Sequence, residues 1–203
     1  METKDNVKTY HAPTRADWRQ WLEQNHASEK SVWLIIYHKE SPTSSIAYSE
    51  SVDEALCFGW VDSKPNKRDG ESYYQYFSKR NPKSNWSKVN KDKVARLLEA
   101  NLMAPAGLEM IEIAKQNGTW NALDDVENLI IPADLQQGFD QNLTAFGYWQ
   151  KFPKSTKRGI LEWIFNAKRP ETRQKRIDET VKLAEENIRA NQYRQLKQKL
   201  PKK

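Results

Sequence analysis

The chain contains one cysteine, Cys57, and therefore can close no internal disulfide. It holds only seven glycines in 203 residues. No GxGxxG, P-loop or GxSxG spacing occurs, which argues against loops that cradle phosphates and against the turn that presents a hydrolase serine. The three histidines, His11, His26 and His38, lack the i,i+4 spacing of a helical metal pair. No catalytic residue, metal ligand or cofactor is therefore assigned, and an enzyme is not the first expectation. No apolar run approaches the ~20 residues that span a bilayer. The stretch from Met1 to Asp17 is polar and shows no apolar core of a signal peptide. With the lone cysteine, these features point to a cytoplasmic protein.

Eight tryptophans are present, a large number for this length. Indoles are costly to leave in water, so most are expected in the core, with one or two free to line a groove. The net charge is +6 and is unevenly spread. Residues 64–93 carry nine Lys/Arg against three Asp/Glu, and residues 151–176 carry nine against two. Residues 109–140 carry seven acids and one lysine. Clustered basic charge fits an anionic small molecule, an acidic protein or nucleic acid, and equally a solvated surface.

Thr14 followed by Asp17 reads as a helix N-cap, with Trp18, Trp21 and Leu22 on one face. Val32 to Tyr37 is a short apolar run and reads as a central strand. Ser49 is placed at the start of a helix whose first turn holds Glu50, Asp53 and Glu54. Gly59 ends that helix. Trp60 to Asp62 begins a strand, and Tyr73 to Phe77 pairs back on it as a hairpin. After the basic loop 79–87, helices follow, one opened by Pro105. The organisation expected is a flexible N-terminus over 1–13 and an α+β domain over 14–120 built on a small antiparallel sheet. A linker over 121–132, a three-helix unit over 133–188 and a basic tail over 189–203 complete it. Asp134, Ser155 and Pro170 mark the three helix starts.

Two sets of segments carry a family resemblance. The first runs from Tyr48 through Glu54-Ala55-Leu56-Cys57-Phe58-Gly59-Trp60-Val61-Asp62-Ser63, with Phe77 to Asn90. The second is Pro132-Ala133-Asp134-Leu135 with Trp163 to Arg173 and Arg176-Ile177. Both resemble the YdeI/OmpD-associated family, also called the OmdA or bacteriocin-protection family. The resemblance implies a bacterial protein with a YjbR/CyaY-like α+β N-terminal part. It also implies a link to bacteriocin or antimicrobial-peptide resistance, and it supplies no catalytic residues.

Cys57 sits at the C-terminal end of its helix, where the dipole disfavours a thiolate, so it is expected to be a buried structural residue. The acids Glu50, Asp53 and Glu54 are read as a capped helix start ahead of a hard-cation site. The surface singled out for ligand binding joins the strand after Gly59 to the 79–87 loop. Trp60, Tyr76 and Trp86 would offer flat apolar contact, while Lys64, Arg80 and Lys83 would supply charge. Ser84 would cap the next helix and leave N–H groups for an anion. Asp62 would orient a lysine or accept from the ligand. The competing reading places Trp60 and Trp86 in the core and pairs Asp62 with a nearby cation. An enzyme would need Asp62, Ser63, Lys64 and Tyr76 to converge in one pocket. A nucleic-acid-binding protein would use the basic faces 64–93 and 151–176. Arg173 is expected to reach back to acids of the first domain.

Overall fold

A computed structural model describes residues 2–192 and divides after Ala122 into two compact units. Most of the expected basic tail lies outside the described residues. The arrangement is α+β.

The first unit carries five strands: β1 (Thr3–Lys4), β2 (Val7–His11), β3 (Ser31–Tyr37), β4 (Trp60–Lys67) and β5 (Ser72–Lys79). Their order is β1-β2-β3-β5-β4. Two features correct the sequence reading. The sheet is mixed, because β2 runs parallel to β3 while the other pairs are antiparallel. The segment expected to be flexible also supplies two strands. Asp5 and Asn6 both take positive φ, 51° and 60°, which is how a two-residue turn closes a hairpin with the natural strand twist. Helix α1 (Arg15–Asn25) then provides the crossover that a parallel pair requires.

Four helices of this unit bury their apolar sides against one face of the sheet: α1, α2 (Tyr48–Cys57), α3 (Lys88–Glu99) and α4 (Pro105–Gln116). α1 starts with a complete capping box, in which Thr14 accepts from the Asp17 N–H and the Asp17 carboxylate accepts from the Thr14 N–H. α2 begins one residue ahead of Ser49. Ala47 occupies the N-cap and has no side-chain acceptor, so Glu50 alone completes the start by accepting from the Ala47 N–H. At the other end Gly59 takes φ +70°, the left-handed conformation that lets the chain turn at once into β4. Ser87, rather than Ser84, caps α3 by accepting from the Asn90 N–H.

α2 is the central helix, and its residues Ser51 to Cys57 are all buried. Two adjacent acids are inside with it. Glu54, 2% exposed, accepts from Arg15 at 2.5 Å and from Arg19 at 2.7 Å, both on α1. Asp53, 5% exposed, accepts from Lys93 at 2.6 Å and from Arg96, both on α3. Buried carboxylates are tolerated only when paired in this way. Neighbouring acids on one helix thus tie it to two different helices, and the pairing leaves neither acid available as a metal ligand. α4 approaches α2 so closely that a Cβ built on Gly107 would stand 2.2 Å from the Cys57 carbonyl oxygen.

The second unit is helical: α5 (Asp124–Glu127), α6 (Ala133–Asp140), α7 (Leu143–Lys151), α8 (Lys154–Phe165) and α9 (Pro170–Glu185). Leu135, Phe139, Leu143 and Phe146 keep the spacing of a single helix from Asp134, yet two helices form, α6 and α7. Asn142 breaks that run, since its side-chain oxygen accepts from the Ala145 N–H and restarts the helix. Leu143 lies 76% exposed as a result. α8 starts at Lys154, with Pro153 at its N-cap ahead of the expected Ser155. The stretch read as a linker contributes Leu123 and Val126 to the core of this unit, beside Leu135, Phe139, Trp149, Ile160 and Ile164. Arg173 pairs with Asp134 of α6 at 2.6 Å, so it fastens α9 within the second unit instead of reaching acids of the first. Among the described residues, no helix is long and apolar enough to cross a membrane.

Candidate functional site

The residues singled out from the sequence do not share one groove. Trp60 is 1% exposed, donates its indole N–H to the His26 carbonyl at 3.3 Å, and packs edge-on against Trp21. Tyr76 lies on the other face of the sheet, against Trp33 at 4.8 Å between ring centres. Strand alternation explains the split: Phe77 is in the helix-covered core, so its neighbour Tyr76 points away from it. Asp62 accepts from the Tyr48 hydroxyl at 2.6 Å, the partner being a phenol and not the cation expected. Ser63 and Lys64 are exposed at a register shift between β4 and β5. Ser84 donates to the Asn81 carbonyl inside its own loop.

Arg80 and Trp86 are the two predicted residues that do come together. The guanidinium carbon stands 3.8 Å from the centre of the Trp86 ring, and one terminal nitrogen donates to the Asn85 carbonyl. Arg80 is 4% exposed and Trp86 2%, so the stack is internal. Among the described residues no carboxylate pairs with Arg80, and its Nε has no hydrogen-bond partner. Burial alone pulls its pKa down to about 10, which still leaves it charged at neutral pH. The contact pins the 81–87 loop by cation–π attraction. It presents no open aromatic face to a ligand.

Cys57 is fully buried, and burial pushes its thiol up to about 11. A nucleophilic cysteine needs the opposite shift. Among the described residues, no group of three or more His, Cys, Asp or Glu is placed to hold a metal ion.

Two grooves lie elsewhere, one in each unit, and the sequence reading identified neither. The groove of the first unit encloses about 450 Å³ between the 38–47 loop and the phenols of Tyr37, Tyr48 and Tyr73. The available signal is the hydroxyl-rich run from Ser41 to Tyr48, whose Ser41–Ile46 part reads as a loop around Pro42. The groove of the second unit encloses about 530 Å³ between α6 and α9. Its floor is Gly138, Ile177 and Val181. Gly138 lets the helices close up, since a Cβ there would stand 3.0 Å from a Val181 methyl. Its walls carry side-chain amides, including Gln137 and Gln141, and three acids, Asp134, Asp178 and Glu185, against one lysine, Lys182. Asp178 accepts from Gln174 at 2.8 Å. The Arg173 guanidinium holds the Asp134 carboxyl below its ordinary range, so that acid is ionised. The pattern is invisible in a linear reading, because α6 and α9 are about thirty residues apart and every polar position on a helix looks like solvated surface.

No curated protein and no solved structure matches the chain. Residues 10–110 match the model of a domain of unknown function (DUF8412), and the YjbR/CyaY-like expectation for this part has no counterpart in that match. Residues 128–187, which contain the whole α6–α9 groove, match the model of the family described as Bacteriocin-protection, YdeI or OmpD-Associated.

Proposed function

We propose that this is a non-catalytic binding protein related to bacteriocin protection, and that its second unit holds a cationic peptide segment in the α6–α9 groove. The observation that carries the reading is that this groove lies wholly inside the segment similar to the bacteriocin-protection family. The wall chemistry supports it. Side-chain amides both donate to and accept from a peptide backbone. With Asp134 held by Arg173, Asp178 and Glu185 against Lys182 leave a negative excess of one that favours a positively charged ligand, steering it at low salt. The apolar floor offers a place for one aliphatic side chain of the peptide.

An anionic ligand at Trp60, Arg80 and Trp86 has less support, since both indoles are inside and Arg80 is spent on Trp86. The nucleic-acid reading draws on the basic stretches, yet many of their cations are engaged internally. Lys93 holds Asp53, Arg68 holds Glu2, Arg158 holds Glu127 and Glu162, and Arg173 holds Asp134.

The test is titration of the ¹⁵N-labelled protein with a synthetic lysine-rich peptide and with its glutamate-substituted analogue. Saturable amide shifts along α6 and α9 with the basic peptide only, lost in the Asp178→Lys/Glu185→Lys variant, are the expected result. Equal response to both peptides, or shifts confined to the first unit, would refute the site.

A further inference from the structure

We propose that the groove of the first unit, between the 38–47 loop and the phenols of Tyr48 and Tyr73, binds an uncharged saccharide of one or two rings. The proposal concerns a separate unit and does not rest on the peptide groove.

Chemistry at the walls selects the ligand class. Seven of the thirteen lining residues bear a hydroxyl, three of them phenols, and only Lys39 carries a full charge. A hydroxyl donates once and accepts twice, so a wall of hydroxyls matches a ligand that is itself covered in them. Tyrosine rings add flat apolar surface of the kind that covers the C–H face of a sugar ring. The volume of about 450 Å³ lies in the range of small-molecule sites. A phosphate-bearing ligand would find one lysine, and the nearby Glu71 carboxylate would oppose it.

The groove is also built in advance. Ser45 Oγ accepts from the Tyr37 N–H, and Ser41 Oγ donates to Glu71 at 3.1 Å. The Ile46 N–H donates to the Ala12 carbonyl at 3.0 Å, and a His11 ring nitrogen lies 2.9 Å from the Ser44 carbonyl oxygen. These bonds tie the loop to β2, β3 and the β4–β5 turn, so little ordering remains to be done on binding. The rim is fixed by Tyr48, whose hydroxyl donates to Asp62 at 2.6 Å. Burial, and then the Asp62 carboxylate, raise the Tyr48 pKa, so the group stays a phenol whose oxygen remains free to accept. The His38 ring lies beside Tyr73, 5.6 Å between centres. Against these committed groups, the hydroxyls of Thr43, Ser44 and Tyr73 have no protein partner among the described residues. They are the ones left for a ligand.

The experiment is a ¹H–¹⁵N titration of the full chain with N-acetylglucosamine, N,N′-diacetylchitobiose, maltose and cellobiose, with glucose 6-phosphate alongside. Expected is saturable binding by at least one neutral sugar, with Kd on the order of 1 mM and shifts confined to residues 37–48 and 71–74. Tyr73→Ala should weaken it about tenfold, the loss of one aromatic contact. The exposed-loop double variant Thr43→Val/Ser44→Ala should also weaken it severalfold, and it leaves the core untouched, so a folding defect in Tyr73→Ala cannot hide the answer. Absence of saturable shifts with all four neutral sugars overturns the proposal. So does tighter binding of glucose 6-phosphate that Lys39→Ala abolishes, which would make this an anion site.

Discussion

Gly107→Ala should destabilise the first unit, whereas the same substitution at Gly159 should stabilise the second. In a helix interior, glycine to alanine ordinarily gains up to about 1 kcal/mol. At Gly159 on α8 an added Cβ meets nothing within 4 Å, so that gain should appear, at about 0.5–1 kcal/mol. At Gly107 on α4 the added Cβ would lie 2.2 Å from the Cys57 carbonyl oxygen, 2.8 Å from its carbonyl carbon and 2.8 Å from Met103 Cε. Two of those atoms are backbone of the fully buried Cys57 and have no rotamer to change. Ordinary contact requires α2 and α4 to separate by about 1 Å, a strain of the overpacking kind that costs ~1–3 kcal/mol. The shift also stretches the 3.0 Å bond from the Ala104 N–H to the Cys57 carbonyl, worth ~1 kcal/mol. Setting these against the helix-propensity gain leaves a net loss of about 1–3 kcal/mol, or on the order of 10 °C in Tm. Thermal unfolding followed by far-UV circular dichroism reads both variants. A Gly107→Ala protein that melts at or above the parent would refute the close approach of α4 to α2.

Asp53 should make stability depend on acid. Desolvation pushes its pKa up, but the bonds from Lys93 and Arg96 outweigh that and hold it below the ordinary value. A carboxyl lowered in the folded state contributes stability that is present above its unfolded pKa of about 4 and is lost as pH falls through the folded value. The stability gap between the parent and Asp53→Asn, measured by urea unfolding, should be wide at pH 7 and narrow below about pH 4. A gap that stays constant or widens in acid contradicts the pairing. Cys57 should resist 5,5′-dithiobis(2-nitrobenzoate) in the native protein at pH 8 and react stoichiometrically in denaturant, because the thiol is fully buried and pushed up to about 11. Rapid native labelling would show that the α2–α4 seam opens.

What the sequence determined by itself was local. Thr14 with Asp17, Gly59 after Cys57, and Pro105 and Pro170 at helix starts are positions where one residue's own geometry or hydrogen bonding sets the backbone. The α+β class followed from period and run length in the same way. The structure decided whatever depends on partners distant in the chain. β2 was unreadable because Val7–His11 is polar and short, and it becomes a strand only by pairing with β3 beyond a crossover helix. Trp60 and Tyr76 look alike in the chain as aromatic residues of one hairpin, yet register sends one under α1 and the other to the opposite face. Asp53 and Glu54 read as ordinary first-turn acids until α1 and α3 close on them with four cations. Both grooves are products of the same step. A serine-rich loop becomes a wall of hydroxyls only where Tyr48 and Tyr73 face it, and amides on α6 become the wall of a cleft only where Gly138 lets α9 come near.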